Sequence, residues 1–156
     1  EAAKKLKADK VPFTLHFAGK EETQDEYIPQ FKSELGESFI YHGVVFGKVK
    51  SDLLKQCDVF LLPSFYEGLP MSLLETMSYG MVPVVTPVGS IPTVVSDKVN
   101  GLYVGVKNTD DIVSSIHHLC TDKALLNRLS SEAQNTIVSL FDDKVYIAKL
   151  NSLYSN

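Results

Sequence analysis

Only two cysteines occur, Cys57 and Cys120, far apart and in no CxxC or metal-ligand spacing. That excludes a disulfide framework or a thiolate metal site as the organising device, and leaves buried thiols of a reducing compartment as their ordinary reading. Positive charge is not in excess. The formal net charge is −4, with acids and bases interspersed, so the basic stripe that a nucleic-acid-binding surface needs is missing. No apolar run approaches the roughly 20 residues of a membrane-spanning helix, and no signal-peptide pattern is visible. Repeats, low-complexity tracts and an internal linker are also absent. The four histidines, His16, His42, His117 and His118, share no ligand spacing with an acid, so they make no metal constellation.

What remains is an ordinary globular composition. The 156 residues are 44% apolar, which suits one α/β domain with a core that needs no staples. Residues 1–156 are expected to form a single domain. Short apolar runs alternate with helical stretches, and that alternation predicts a Rossmann-like parallel sheet flanked by helices. Glu1–Lys10 reads as the end of a helix already under way, so the chain is expected to be one domain of a longer protein. Its lysines, Lys4, Lys5, Lys7 and Lys10, read as a solvated helix face; a weak membrane-surface contact is the second reading.

Strands are expected at Phe13–Ala18, Phe39–His42, Val59–Leu62, Val82–Thr86 and Leu102–Val104. Val59–Leu62, continuously apolar, reads as the central strand buried on both faces. Pro83 is expected to break the next strand near its start. Helices are expected at Glu26–Leu35, Lys50–Gln56, Pro70 to about Tyr79, with a short piece at Pro92–Ser96. Two amphipathic helices carry Ile112, Val113, Ile116, Leu119 and then Leu126, Leu129, Ala133, Ile137. A last helix is expected over Asp142–Tyr154.

One stretch carries chemistry: Pro63-Ser64-Phe65-Tyr66-Glu67-Gly68-Leu69-Pro70-Met71-Ser72-Leu73-Leu74-Glu75. It leaves a strand and opens a helix, and in open α/β sheets ligands bind outside the carboxyl ends of the strands. Gly68 allows a close approach of backbone to ligand. Pro70 suits the first helical position. The N–H groups of Met71, Ser72 and Leu73 are then expected to be free, making an anion site fit for a pyrophosphate. An acid beside a phosphate repels it, so Glu67 and Glu75 are better used as acceptors for sugar hydroxyls. Taken singly, each glutamate reads as a turn or exposed helix residue; the stretch as a whole reads as a site. Ser64 is expected to bond the loop backbone, and Tyr66 to pack in the loop or on a ligand. Lys20, Lys48 and Lys50 sit near strand ends as ordinary surface lysines. His42 reads as structural or solvent-exposed, with the edge of a ligand pocket as the alternative.

Glu67 and Glu75 are separated by seven residues, and EGLPMSLLETMSYGMVPVVTPVGSIP resembles the donor-binding region of the retaining glycosyltransferase family usually numbered four, of the GT-B fold. LHFAGK, HGVV, CDVFLLPSFYEGLP and NGLYV fall in the family's order, from Phe13 to about Ser139. The resemblance implies the C-terminal half of a GT-B enzyme that binds a UDP- or GDP-sugar, and a role for each residue. Glu67 would contact the donor sugar hydroxyls near the reacting carbon and count as catalytic. Glu75 would bind the ribose. Backbone amides around Gly68, Leu69, Met71, Ser72 and Leu73 would hold the phosphates, and Gly19, Gly43 and Val44 would line the nucleobase pocket.

The resemblance also implies transfer with retention and without metal or other cofactor, to a glycan or lipid-linked acceptor held by a separate N-terminal domain. The corresponding location is the cytoplasm, with peripheral membrane contact of the full-length enzyme as an added possibility, and the isolated domain would be inactive. The family's pyrophosphate-neutralising arginine and lysine belong upstream of Glu1. Ser90 and Thr93 stand where the family often has glycine and glutamate, and Leu69-Pro70 where it often has Phe-Gly. A non-catalytic nucleotide-binding module is the alternative. A dinucleotide dehydrogenase ranks low, because Gly19-Lys20-Glu21-Glu22 stands where GxGxxG belongs.

Overall fold

The computed structural model describes residues 1–20 and 27–141. The expected helix over Asp142–Tyr154 lies outside the described residues, as do Glu26 and the Glu21-Glu22 pair. In chain order the elements are α1 (Ala2–Ala8), β1 (Leu15–Ala18), α2 (Tyr27–Leu35), β2 (Phe39–Gly43), α3 (Gly47–Leu54), β3 (Val59–Leu62), α4 (Met71–Ser78), β4 (Val82–Val85), β5 (Leu102–Tyr103), α5 (Thr109–Thr121) and α6 (Lys123–Leu140). Short 3₁₀ turns cover Gly36–Ser38 and Ile91–Thr93. Every strand pair is parallel, as the alternation of strands and helices predicts. The chain's described residues form two compact units, Glu1–Gln56 with Asn108–Thr121, and Cys57–Lys107 with the described residues from Asp122 to Phe141.

In the first unit, β1 pairs with β2. Leu15, Phe39 and Tyr41 lie on one face and pack with Ile28, Phe31 and Leu35 of α2 and Ala3 of α1. The α2 residues recur at three- and four-residue spacing, so they share one stripe of the helix. Three of the four clustered lysines are engaged inside the unit rather than simply solvated. Lys4 pairs with Glu34 at 2.6 Å, Lys5 with Asp110 at 2.6 Å, and Lys7 donates to the carbonyls of Glu34 and Leu35. That last contact sets a cation on the carbonyl end of α2, where the helix dipole favours it.

In the second unit the strand order is β3-β4-β5. Here β4, not β3, is the strand buried on both faces: Val82–Val85 is buried throughout, whereas every residue of β3 is half-buried. The reason is position, since β4 lies between β3 and β5. Pro83 does not break it. The N–H groups of Val82 and Thr86 face β3, bonding Asp58 and Leu62 carbonyls. Pro83 has the opposite parity, and the ladder on that other side starts only at Val84 opposite Leu102, so the missing N–H costs no ladder bond. α4 and the 3₁₀ turn bury Leu73, Leu74, Met77, Ile91, Val94 and Val95 against Val85 and Ala133. α6 ties down the end of α4: Ser130 donates to the Gly80 carbonyl at 2.6 Å and Gln134 to the Ser78 carbonyl at 3.0 Å. Buried Asn100 bonds Ser96 N–H, the Val94 carbonyl and Thr136, which fixes the turn into β5.

Candidate functional site

The loop from Pro63 to Pro70 leaves the carboxyl end of β3 and enters α4. It is held by side-chain and backbone ties. Ser64 Oγ donates to Glu67 Oε1 at 2.7 Å. Thr86 Oγ1, fully buried at the end of β4, donates to the Ser64 carbonyl at 2.6 Å. Ser90 N–H donates to the Gly68 carbonyl at 3.1 Å. The hydroxyl of Ser64 therefore serves the Glu67 carboxylate rather than the loop backbone. One Glu67 oxygen is thereby oriented by a neutral donor.

Gly89 makes this arrangement sterically feasible. Its φ is +57°, and a Cβ built there would lie 1.8 Å from the Glu67 carbonyl oxygen and 2.8 Å from its carbonyl carbon. No side chain fits, so the loop after β4 can lie against Glu67 only through glycine. The sequence shows Gly89 but not what it touches, because the contact joins loops 22 residues apart.

Pro70 caps α4 with extended backbone (ψ 126°) rather than occupying its first turn, and Met71 is the first helical residue. The Leu73 N–H is not free: it donates to the Pro70 carbonyl at 3.0 Å. Such i→i−3 closure is common at helix ends. The unpartnered N–H groups among the described residues of this turn are those of Met71 and Ser72, and the Leu73 side chain is fully buried. Met71 is 74% exposed and Tyr66 84%, so the helix end and the loop open to solvent. Glu75 is half-buried in the second turn of α4. Lys107 Nζ stands 5.3 Å from the centre of the Phe65 ring, a cation–π contact that brings positive charge to the loop. Neither Lys107 nor Phe65 stands out in the sequence.

Gly19 and Gly43 meet in the first unit. At the ends of β1 and β2, Gly19 N–H donates to the Gly43 carbonyl at 2.8 Å, and Tyr41 Oη donates to the Gly19 carbonyl at 3.0 Å. Gly43 has a φ of +63°. Val44 follows it and is 57% exposed. Just before these glycines, His16 Nδ1 and His42 Nε2 lie 2.9 Å apart. Gly19, Gly43 and Val44 and the Glu67 loop thus fall in different units, each organised on its own. A cavity of about 250 Å³ lined by Glu1, Tyr27, Gln30, Phe31 and Glu34 contains none of the residues singled out from the sequence. Among the described residues no group of three or more His, Cys, Asp or Glu is placed to hold a metal ion. No described helix is long and apolar enough to cross a membrane.

Comparison with known proteins follows the same outline. Residues 1–136 match the family model described as glycosyl transferases group 1. The chain is 30% identical over 103 residues to the UDP-Gal:alpha-D-GlcNAc-diphosphoundecaprenol alpha-1,3-galactosyltransferase of Escherichia coli, covering 66% of this chain and 26% of that protein. It is 33% identical over 104 residues to the N,N'-diacetylbacillosaminyl-diphospho-undecaprenol alpha-1,3-N-acetylgalactosaminyltransferase of Campylobacter jejuni, covering 66% and 27%. The matched region is thus about a quarter of the length of these relatives. The crystal structure of TarM superposes with a TM-score of 0.81 at 19% identity, covering 96% of this chain and 30% of that one. The C-terminal domain of the group 1 glycosyl transferase LpcC from Francisella tularensis superposes with a TM-score of 0.64 at 16% identity, covering 90% and 92%. With most of its length matched by one family model and its fold that of GT-B neighbours, the chain belongs to the group 1 glycosyltransferases.

Proposed function

We propose that this chain binds the nucleotide-sugar donor and that the whole protein transfers the glycosyl group, with retention, to a glycan or lipid-linked acceptor. The observation that carries the reading is the Glu67 loop. A carboxylate is oriented by Ser64, its backbone is pressed against Gly89, and it stands beside a helix start with unpartnered N–H groups. In this reading the Met71 and Ser72 amides receive the diphosphate at the positive end of α4. Gly68 and Leu69 line its approach. Glu75 accepts the ribose hydroxyls and Glu67 the hydroxyls of the transferred sugar, near the carbon where charge develops. Gly19, Gly43 and Val44 line the base through backbone.

The names of the two relatives support a diphospho-undecaprenol-linked acceptor and, for the Escherichia coli protein, a UDP-sugar donor. Rate then comes from positioning and from fixed dipoles rather than from a metal or other cofactor. The acceptor-binding domain completes the active site, so the chain alone is inactive in transfer. The protein works in the cytoplasm, with peripheral contact to the membrane that carries its acceptor.

The test is a thermal-shift titration of the chain against UDP, GDP, ADP and NAD, repeated on Glu75→Ala. A ligand at about 100 times its Kd adds roughly 2.7 kcal/mol of stability. A shift with UDP or GDP that vanishes in Glu75→Ala supports the reading and names the base. Preference for NAD, or an undiminished shift in the variant, sinks it. In the whole protein, Glu67→Ala should spare nucleotide binding and abolish transfer.

A further inference from the structure

β2 carries a bulge at its end. Phe17 pairs with Tyr41 and Ala18 with Gly43, which leaves His42 as the extra residue. Bulges of this kind re-aim a side chain, and here His42 is aimed at His16. The rings are nearly parallel, at 17°, with centroids 5.2 Å apart. That separation fixes the geometry. With the nitrogens at 2.9 Å, centroids so far apart require the two nitrogens to lie on the line joining the ring centres. The rings are edge to edge, and one nitrogen's N–H points at the other's lone pair.

Such a bond has room for one proton between two nitrogens. With both rings neutral, one donates and the other accepts. Adding one proton to the pair leaves an N⁺–H···N bond, which is charge-assisted and retained. A second proton leaves two N–H groups facing each other, two like charges and no acceptor. The first proton is tolerated; the second opens the contact. Burial, and then the neighbouring His42 charge, hold His16 below the ordinary histidine range, and no other charge among the described residues acts on it. α1 and α2 pack on the opposite face through Ala3, Ile28, Phe31 and Leu35, which bring no charge to the pair.

We propose that His16 and His42 form a shared-proton clasp that positions the Gly19–Gly43 turn pair for a nucleobase and releases it in acid. The clasp sits one residue before Gly43 and three before Gly19, which are tied to each other by the Gly19 N–H to Gly43 carbonyl bond and to β2 by Tyr41 Oη on the Gly19 carbonyl. The positioning role rests on the donor-binding reading; the clasp itself does not. The sign follows from linkage. A histidine held below its unfolded value near 6.5 contributes stability that is full above that value and is lost as pH falls from it toward the folded value.

The experiment is a pH titration of the chain from about 8 to 4.5 by imidazole ¹⁵N spectroscopy and amide exchange. His117 and His118, exposed on α5, serve as internal references. The clasp predicts that the second protonation of the pair falls below both references, and that the Gly19 amide loses at least about tenfold of its exchange protection in the same step. In His42→Gln that coupling disappears; His16→Gln is the independent second variant should the first not fold. His16 and His42 titrating like the references, or a Gly19 amide indifferent to them, overturns the clasp.

Positioning is read with UDP-glucose and GDP-mannose, whose esterified diphosphates keep their charge across the range. Affinity of whichever binds should fall about tenfold or more from pH 7.5 to 5 in the native chain and stay level in His42→Gln. The same fall in both proteins overturns positioning alone. No binding of either sugar nucleotide at pH 7.5 overturns the donor reading and positioning together.

Discussion

The Glu67 loop and the Gly19–Gly43 turns, each within its own unit, are built differently. The Glu67 loop is tied by Ser64, Thr86 and Ser90 and pressed against Gly89, with a hydrophobic core of Leu73, Ile91 and Val95 in the same unit. Gly19 and Gly43 are joined by one backbone bond, one tyrosine bond and a histidine pair, with Phe17 and Val44 exposed beside them. The first is overdetermined by several side-chain and backbone contacts. The second rests on few contacts, one of them sensitive to protons. Local stability therefore differs between the two regions, in line with their different numbers of contacts.

The comparison breaks most sharply at Gly89. Gly89→Ala places a carbon on the Glu67 carbonyl and keeps a residue at positive φ. It should cost about 3 kcal/mol or more, lowering the melting temperature by roughly 6–12 °C. Differential scanning calorimetry reads this directly, and a loss under about 1 kcal/mol would mean the loops do not press together. Glu75→Ala should weaken UDP or GDP binding by about 10–100-fold, the range of hydrogen bonds to a charged group; isothermal calorimetry decides.

Ser64→Ala removes the donor on Glu67. Nucleotide affinity should hold while kcat of the whole protein drops by roughly tenfold, about 1.4 kcal/mol of lost orientation. A change in KM alone would assign Ser64 to binding. The smallest effect belongs to the glycine turns. Tyr41→Phe deletes the hydroxyl on the Gly19 carbonyl and should cost about 1 kcal/mol, seen as faster amide exchange near Gly19 with the Glu67 loop unaffected. If Tyr41→Phe also disturbed the Glu67 loop, the independence of the two regions would fail.

Local rules made much of this legible. Val59–Leu62 is a strand with the bounds its apolar run gives, and α4 lies where the proline before it and Gly80 after it place it. α3 begins at Gly47, three residues ahead of the start that the sequence pattern predicts, because its first turn has no recognisable cap. The buried strand was assigned to β3 from its unbroken apolar run, but burial depends on neighbours, and β4 has one on each side. Likewise the N–H of Leu73 looked free because a helix start leaves its first donors open; only the fold shows that Pro70 turns its carbonyl onto it.

By itself, then, the sequence determined the alternation of strands and helices, the parallel sheet, and the strand–loop–helix stretch that places Glu67 before α4 and Glu75 within it. Those follow from periodicity, glycine and proline, which act within a few residues. Tertiary structure alone decided that Ser64 serves Glu67, that Gly89 lies on its carbonyl, and that His16 faces His42 across 26 residues of chain. The Gly89 contact depends on the register of β4 beside β3 and the histidine pair on the bulge in β2, and register is set by the packing of whole faces, which no short stretch of sequence encodes.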